Sequence, residues 1–173
     1  MAATDDYIAC RCCLLNGLFT GLRLGAEAVE KFLKAFILYC DPTFDVEAYG
    51  HNIRKIAAKA QIFEPRLETG HFRQVFKRLE AHYRNRYPNA ADLKASTAEL
   101  VEIDELVLHI CDCLPIPEGP KFRNYGPFLL LCCNRLPPLQ PYTKWLERNN
   151  LALKRAKPIL LKRYEAVEKE LGE

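Results

Sequence analysis

Apolar positions along residues 21–40 (GLRLGAEAVEKFLKAFILYC) recur with a helical step. Leu22, Ala26, Val29, Leu33, Phe36 and Cys40 follow one another at intervals of four, three, four, three and four. That spacing lays them in one stripe along an α-helix and does not fit the period of two of a strand. Arg23, Glu27, Lys31 and Lys34 lie towards the other side, with Glu27–Lys31 and Glu30–Lys34 as i,i+4 pairs in the acid-first orientation. Phe32 and Tyr39 widen the apolar surface, so this stretch predicts a central helix with neighbours on two sides. The same period predicts a first helix through Tyr7, Cys10, Leu14 and Leu18, capped by Asp5 or Asp6. A third helix starts from Asp45 and carries Tyr49, Ile53 and Ile56. A fourth starts near Thr69 with Phe72, Phe76, Leu79 and Tyr83, and a fifth begins at Asp92 or Ser96 with Leu100, Ile103, Val107, Ile110 and Leu114. Gly17 and Gly21 bracket a turn, while Asp41-Pro42, Glu64-Pro65 and Pro88-Asn89 end helices. Gly25 sits mid-helix at a cost of roughly 1 kcal/mol against alanine, which a close helix–helix approach would justify.

The polar faces differ in sign. The fourth helix carries Arg73, Lys77, Arg78 and Arg84, with Arg86 beyond it, whereas the fifth carries Glu99, Glu102, Asp104, Glu105 and Asp112 on what reads as a solvated face. The two are expected to pack antiparallel with ion pairs along the rim. From Pro115 to Pro141 the pattern changes, because seven of the eleven prolines fall there. Phe122, Tyr125, Phe128 and the Leu129–Cys133 run still call for burial, which predicts a proline-rich strap with one short helix laid over the bundle. One or two C-terminal helices follow, 142–156 and 158–171, divided at Pro158, with Leu160, Tyr164, Val167 and Leu171 facing inward. The predicted fold is all-α: an up-and-down antiparallel helical bundle over residues 1–114, with the strap and additional basic C-terminal helices of 115–173 packed on it.

Composition adds limits. At 173 residues, 49% hydrophobic and 27% charged, the chain suits one core. No apolar run approaches the ~20 residues of a spanning helix, and the start of the chain does not read as a signal peptide, so a cytoplasmic location is expected. Of the eight cysteines only Cys10 and Cys13 stand at C-x-x-C spacing and no second such pair follows, so small buried thiols, no metal and no cofactor are expected. Residues 1–114 carry a net −2 and residues 115–173 a net +5. Lys154 and Arg155, with Lys157, Lys162 and Arg163, would contribute more to any polyanion binding than the N-terminal helices, or form an ordinary solvated helix face.

The order Ala26-Glu27-Ala28-Val29-Glu30-Lys31-Phe32-Leu33-Lys34-Ala35 resembles the A-x-x-x-E-K-x-L-K-A helix of HEPN domains. Gly50-His51-Asn52-Ile53 resembles that family's G-H-x-L helix start, and Tyr83-Arg84-Asn85-Arg86-Tyr87-Pro88 its Y-x-x-R-Y-P segment. The resemblance covers about residues 7–114. It implies a HEPN-type bundle and a homodimer paired through its early helices. It also implies a toxin–antitoxin or defence setting, with a separately encoded nucleotidyltransferase as a possible partner. Active members are metal-independent ribonucleases built on an arginine, a polar residue, and a histidine five to seven places after the arginine. Histidine moves the 2′-hydroxyl proton and arginine stabilises the phosphorane charge. Here Arg84 and Asn85 match, but the histidine slot holds Asn89, Ala90 or Ala91, none of which is a base near neutral pH.

The resemblance therefore implies a non-catalytic, degenerate motif (Arg84, Asn85, Asn89). Arg84 and Arg86 beside Tyr83, Tyr87 and His51 would form a surface for a nucleotide or RNA, through phosphate contacts and stacked bases. Two alternatives stand beside it. One is a ribonuclease whose base is supplied by His51 or His82. The other is a purely structural interaction protein, with Tyr83 and Tyr87 in the core. His71 and His109 show no partner in the sequence, and Cys12 or Cys40 as a nucleophile would need a histidine and an electropositive pocket.

Overall fold

The computed structural model describes residues 2–67, 70–84, 97–116, 126–132, 135 and 137–172, and these form helices and turns without a strand among them. The helices are α1 (Ala2–Leu15), α2 (Thr20–Cys40), α3 (Ile53–Phe63), α4 (Arg73–Arg84), α5 (Thr97–Cys113), α6 (Gly126–Cys132), α7 (Thr143–Glu147) and α8 (Leu151–Gly172), with 3₁₀ turns at Pro65–Leu67 and Pro137–Tyr142. The chain is all-α in these residues, and none of their helices is long and apolar enough to cross a membrane.

Helix α2 is central, as its stripe predicts, touching α1, α3, α4 and α5. Leu22, Ala26, Val29, Leu33 and Phe36 are buried, whereas Cys40, at the last turn, is exposed. Helices α1 and α2 form an antiparallel hairpin whose approach is set by glycine. A Cβ on Gly21 would lie 2.6 Å from Leu14 and 2.8 Å from the Cys10 carbonyl, and one on Gly25 3.0 Å from the Cys10 sulfur. Gly21 is thus a packing glycine inside α2, not a turn residue. Gly17, at φ +72, makes the turn.

Several predicted starts move. Helix α1 begins at Ala2, so Asp5 lies in its first turn rather than capping it, and Asp6 pairs with Lys31 of α2. Asp45 caps a local turn by accepting from the Glu47 and Ala48 amides. Helix α3 waits for Asn52, whose side chain accepts from the Lys55 amide. Tyr49 therefore lies off the helix, with its ring 4.9 Å from that of Phe44. Residues 42–52 climb back along α2, so α3 meets it in the same general sense: Glu30 with His51, Phe36 with Phe63. This step departs from strict up-and-down alternation. Helices α4 and α5 are antiparallel as expected, with Arg78 paired to Glu102, His82 beside Glu99 and Phe72 against His109. Thr69, Pro88, Asn89, Asp92 and Ser96, proposed as helix ends, lie outside the described residues.

The C-terminal third shares the core of the first two. Leu130, Leu131, Leu146, Leu153, Leu160 and Tyr164 belong to the same buried cluster as Leu22 and Val107. The break predicted at Pro158 is instead at Asn149, with φ +56, and Asn150, whose carboxamide oxygen accepts from the Leu153 amide at 2.8 Å. Helix α8 runs on through Pro158. Asparagine tolerates the left-handed backbone and caps the next helix, which makes this the stronger local stop.

The larger departure is Asp104. It is buried, not solvated, and forms an ion pair with Arg11 of α1, itself 0% exposed. Tyr7 donates to Asp104 at 2.6 Å, and Asn150 donates to Tyr7 at 3.1 Å. Arg11 also donates to the carbonyls of Trp145, at 2.8 Å, and Arg148. Burial, then the neighbouring carboxylate, pushes the Tyr7 phenol well above its ordinary range, so it serves as a donor. One guanidinium therefore joins α1 to α5, α7 and the turn before α8.

Removing one partner of a buried pair costs about 3–5 kcal/mol, because the other charge is stranded. Arg11→Met is expected to lower stability by about that much in urea unfolding. Adding Asp104→Leu to Arg11→Met should recover part of the loss, and a double variant no better than the single would contradict this reading.

Candidate functional site

The residues singled out by the sequence converge in part on one corner, built by α2, the turn into α3 and the end of α4. Glu30 lies one step off the α2 stripe and is buried at 6% exposure. Its carboxylate accepts from Lys34 Nζ at 2.8 Å, and both of its oxygens lie 3.1 Å from His51 Nδ1. Lys34 also donates to the Gly50 carbonyl at 2.6 Å, which fastens the turn carrying His51. That turn requires Gly50 at φ +51, a backbone conformation glycine adopts readily. On the far side, Glu80 of α4 accepts from the Arg54 amide at 3.1 Å and from its guanidinium at 2.6 Å. A carboxylate on the first turn of α3 also complements the helix dipole.

These two carboxylates fix α3 between α2 and α4, and the result is a ring pair: His51 lies 4.4 Å from Tyr83, centroid to centroid, at 32°. The His51 side chain is 56% exposed. Nδ1 is held by Glu30, and Nε2 is left as the other polar atom of the ring. The arrangement offers a half-stacked aromatic face beside an oriented imidazole. Arg84 follows Tyr83 as the last residue of α4, but its side chain, like Asn85, Arg86, Tyr87 and Asn89, lies outside the described residues.

Glu30, Lys34, Arg54 and Glu80 are absent from the sequence-based list. A signal for Glu30 was available: positions 26, 30, 33 and 37 share the buried arc, so a carboxylate there needs partners.

The other histidines serve packing. His82 lies edge-on to Phe19 at 4.7 Å. His71 and His109, left without partners in the sequence, both lie against Phe72, at 5.0 and 5.2 Å. Burial lowers the pKa of His82 and of His109. Cys10, Cys111, Cys113 and Cys132 are buried. Burial raises the Cys10 and Cys111 thiols strongly and that of Cys113 to about 11. Burial, then Glu64, raises the exposed Cys40 as well, the opposite of what a nucleophile needs. Among the described residues no cluster of three metal-ligating side chains is present. Of the basic C-terminal residues, Arg155 pairs with Glu105 at 3.1 Å, Lys157 with Glu147 at 2.8 Å and Arg163 with Asp112 at 3.5 Å, while Lys154 is exposed. Three of the five basic residues expected there are therefore internally compensated.

Comparison with family models, curated proteins and solved structures gave no match to this chain.

His82 and His109 generate a pH prediction. Both stay neutral in the fold to a lower pH than in the unfolded chain, which takes up protons first on acidification. Stability should therefore fall as pH drops through about 6.5 and below. Urea midpoints measured between about pH 7 and 5 should decline less in the double variant His82→Gln/His109→Gln. Equal slopes would remove these two groups from the account.

Proposed function

We propose that the chain is a HEPN-like helical module, cytoplasmic and homodimeric, that binds a nucleotide or RNA without cleaving it. The observation that carries this is the His51–Tyr83 ring pair, seated on neutralised carboxylates at the end of the arginine-bearing helix. A base can extend such a ring pair by stacking, while Arg84 and Arg86, next along the chain, supply cations for phosphate. Glu30 and Glu80 are balanced by Lys34 and Arg54, so the corner carries no uncompensated acid from these groups. The resemblance adds the HEPN-type bundle topology and a separately encoded nucleotidyltransferase as a further candidate partner.

Binding of a labelled single-stranded RNA, followed by fluorescence anisotropy, tests the reading. Affinity should fall steeply with added salt, and Tyr83→Ala should weaken it by about tenfold, the scale of one lost stacking contact. Binding of neither RNA nor nucleotide at low salt would leave the purely structural reading.

A second reading is favoured by one detail. A carboxylate holding Nδ1 of an exposed imidazole is also how a general base is oriented, so His51 is a candidate for the histidine missing after Arg84. Incubation with end-labelled RNA should give no cleavage. Cleavage that disappears in both His51→Ala and Arg84→Ala would establish the ribonuclease instead.

A further inference from the structure

A cleft lies on other elements, between α1 and the entry to α7. It measures about 350 Å³ and is lined by Asp5, Ile8, Ala9, Cys12, Tyr142 and Trp145. Asp5, Ile8, Ala9 and Cys12 stand at steps of three, one and three, which is one face of α1. Tyr142 and Trp145 close the other side. The volume is at the small end of ligand sites, the size of a head group rather than an extended molecule.

The chemistry of the lining is selective. Two aromatic residues and one acidic residue line an otherwise apolar space. Aromatic faces attract cations through their quadrupole, and most strongly so for tryptophan. A weakly hydrated cation gains there what a strongly hydrated one would lose on desolvation. Asp6 is taken by Lys31, whereas among the described residues Asp5 has no ion-pair partner. The indole already attracts a cation of its own chain, with Lys144 Nζ 4.8 Å from the ring centroid. Its position is fixed from below, since the Trp145 carbonyl accepts from the buried Arg11.

We propose that this cleft is a binding site for a methylated ammonium group, with Tyr142 and Trp145 as cage walls and Asp5 as counter-charge. Such a head group occurs on free choline-like molecules and on methylated lysine side chains, and the two share this recognition chemistry. Lys144 acts as a competing internal cation.

Trp145 is the one tryptophan of the chain, so its fluorescence reports on the site directly. Titration of the full chain at constant ionic strength with choline, trimethyllysine amide and 3,3-dimethylbutanol, the neutral isostere of choline, is the experiment. Expected are saturable changes with the two cations and binding of the isostere weaker by about tenfold. The tighter of the two cations indicates the natural source. Asp5→Asn and Tyr142→Ala should each weaken choline several-fold, and Lys144→Gln should strengthen it. Equal affinity for choline and its isostere, no saturable response, or unchanged choline affinity in both weakening variants would overturn the assignment.

Discussion

The architecture turns on a guanidinium withdrawn from water. Arg11 sits at the middle of α1, wholly buried, and spends its donors on Asp104 and on two backbone carbonyls at the approach to α8. Moving two charges out of water is expensive, and an apolar substitute would often be as stable. What an apolar pair would not supply is direction. Carbonyls at Trp145 and Arg148 have few other ways to be satisfied where α7 ends, while Tyr7 donates to the carboxylate and in turn accepts from Asn150. The network therefore selects one seating for the last third of the chain, which greasy contact alone would leave free to slide. It also places Trp145 over α1, so the cleft there is a by-product of the same constraint.

The α3–α4 corner is built by the same device in a milder form. Two carboxylates, Glu30 and Glu80, are buried on one side and paired with cations whose stems reach the surface. Each carboxylate ties a helix to the turn before α3 or to its first residues. Because α3 is anchored at its start, the residue just ahead of its cap, His51, is held while still exposed. Rigidity beneath an exposed ring is what a stacking platform needs, since less ordering entropy is lost on binding.

Much of this was legible in the sequence. The α2 stripe, the antiparallel α4–α5 pair, the short helix among the prolines and the close approach at Gly25 all follow from local pattern. What escaped was tertiary. Asp104 sits among acids that are half-exposed or exposed, such as Glu102 and Glu105, and only its register with Arg11, far away in sequence, marks it as internal. The preference of proline for the first helical position placed Pro158 at a helix start. The competing stop at Asn149-Asn150 depends on a left-handed residue and on hydrogen bonds to Tyr7 and Leu146. Within the site, the sequence named His51 and Tyr83 but not the carboxylate holding one of them, since Glu30 reads as an ordinary i,i+4 surface pair with Lys34.

The central claim is that the ring pair at the α3–α4 corner is where nucleic acid or nucleotide meets this protein, rather than the basic face of α8. Ultraviolet cross-linking of bound RNA, followed by mapping of the modified peptides, separates the two directly. The account predicts adducts on the segments containing His51 and Tyr83. Adducts confined to residues 142–172 would contradict it.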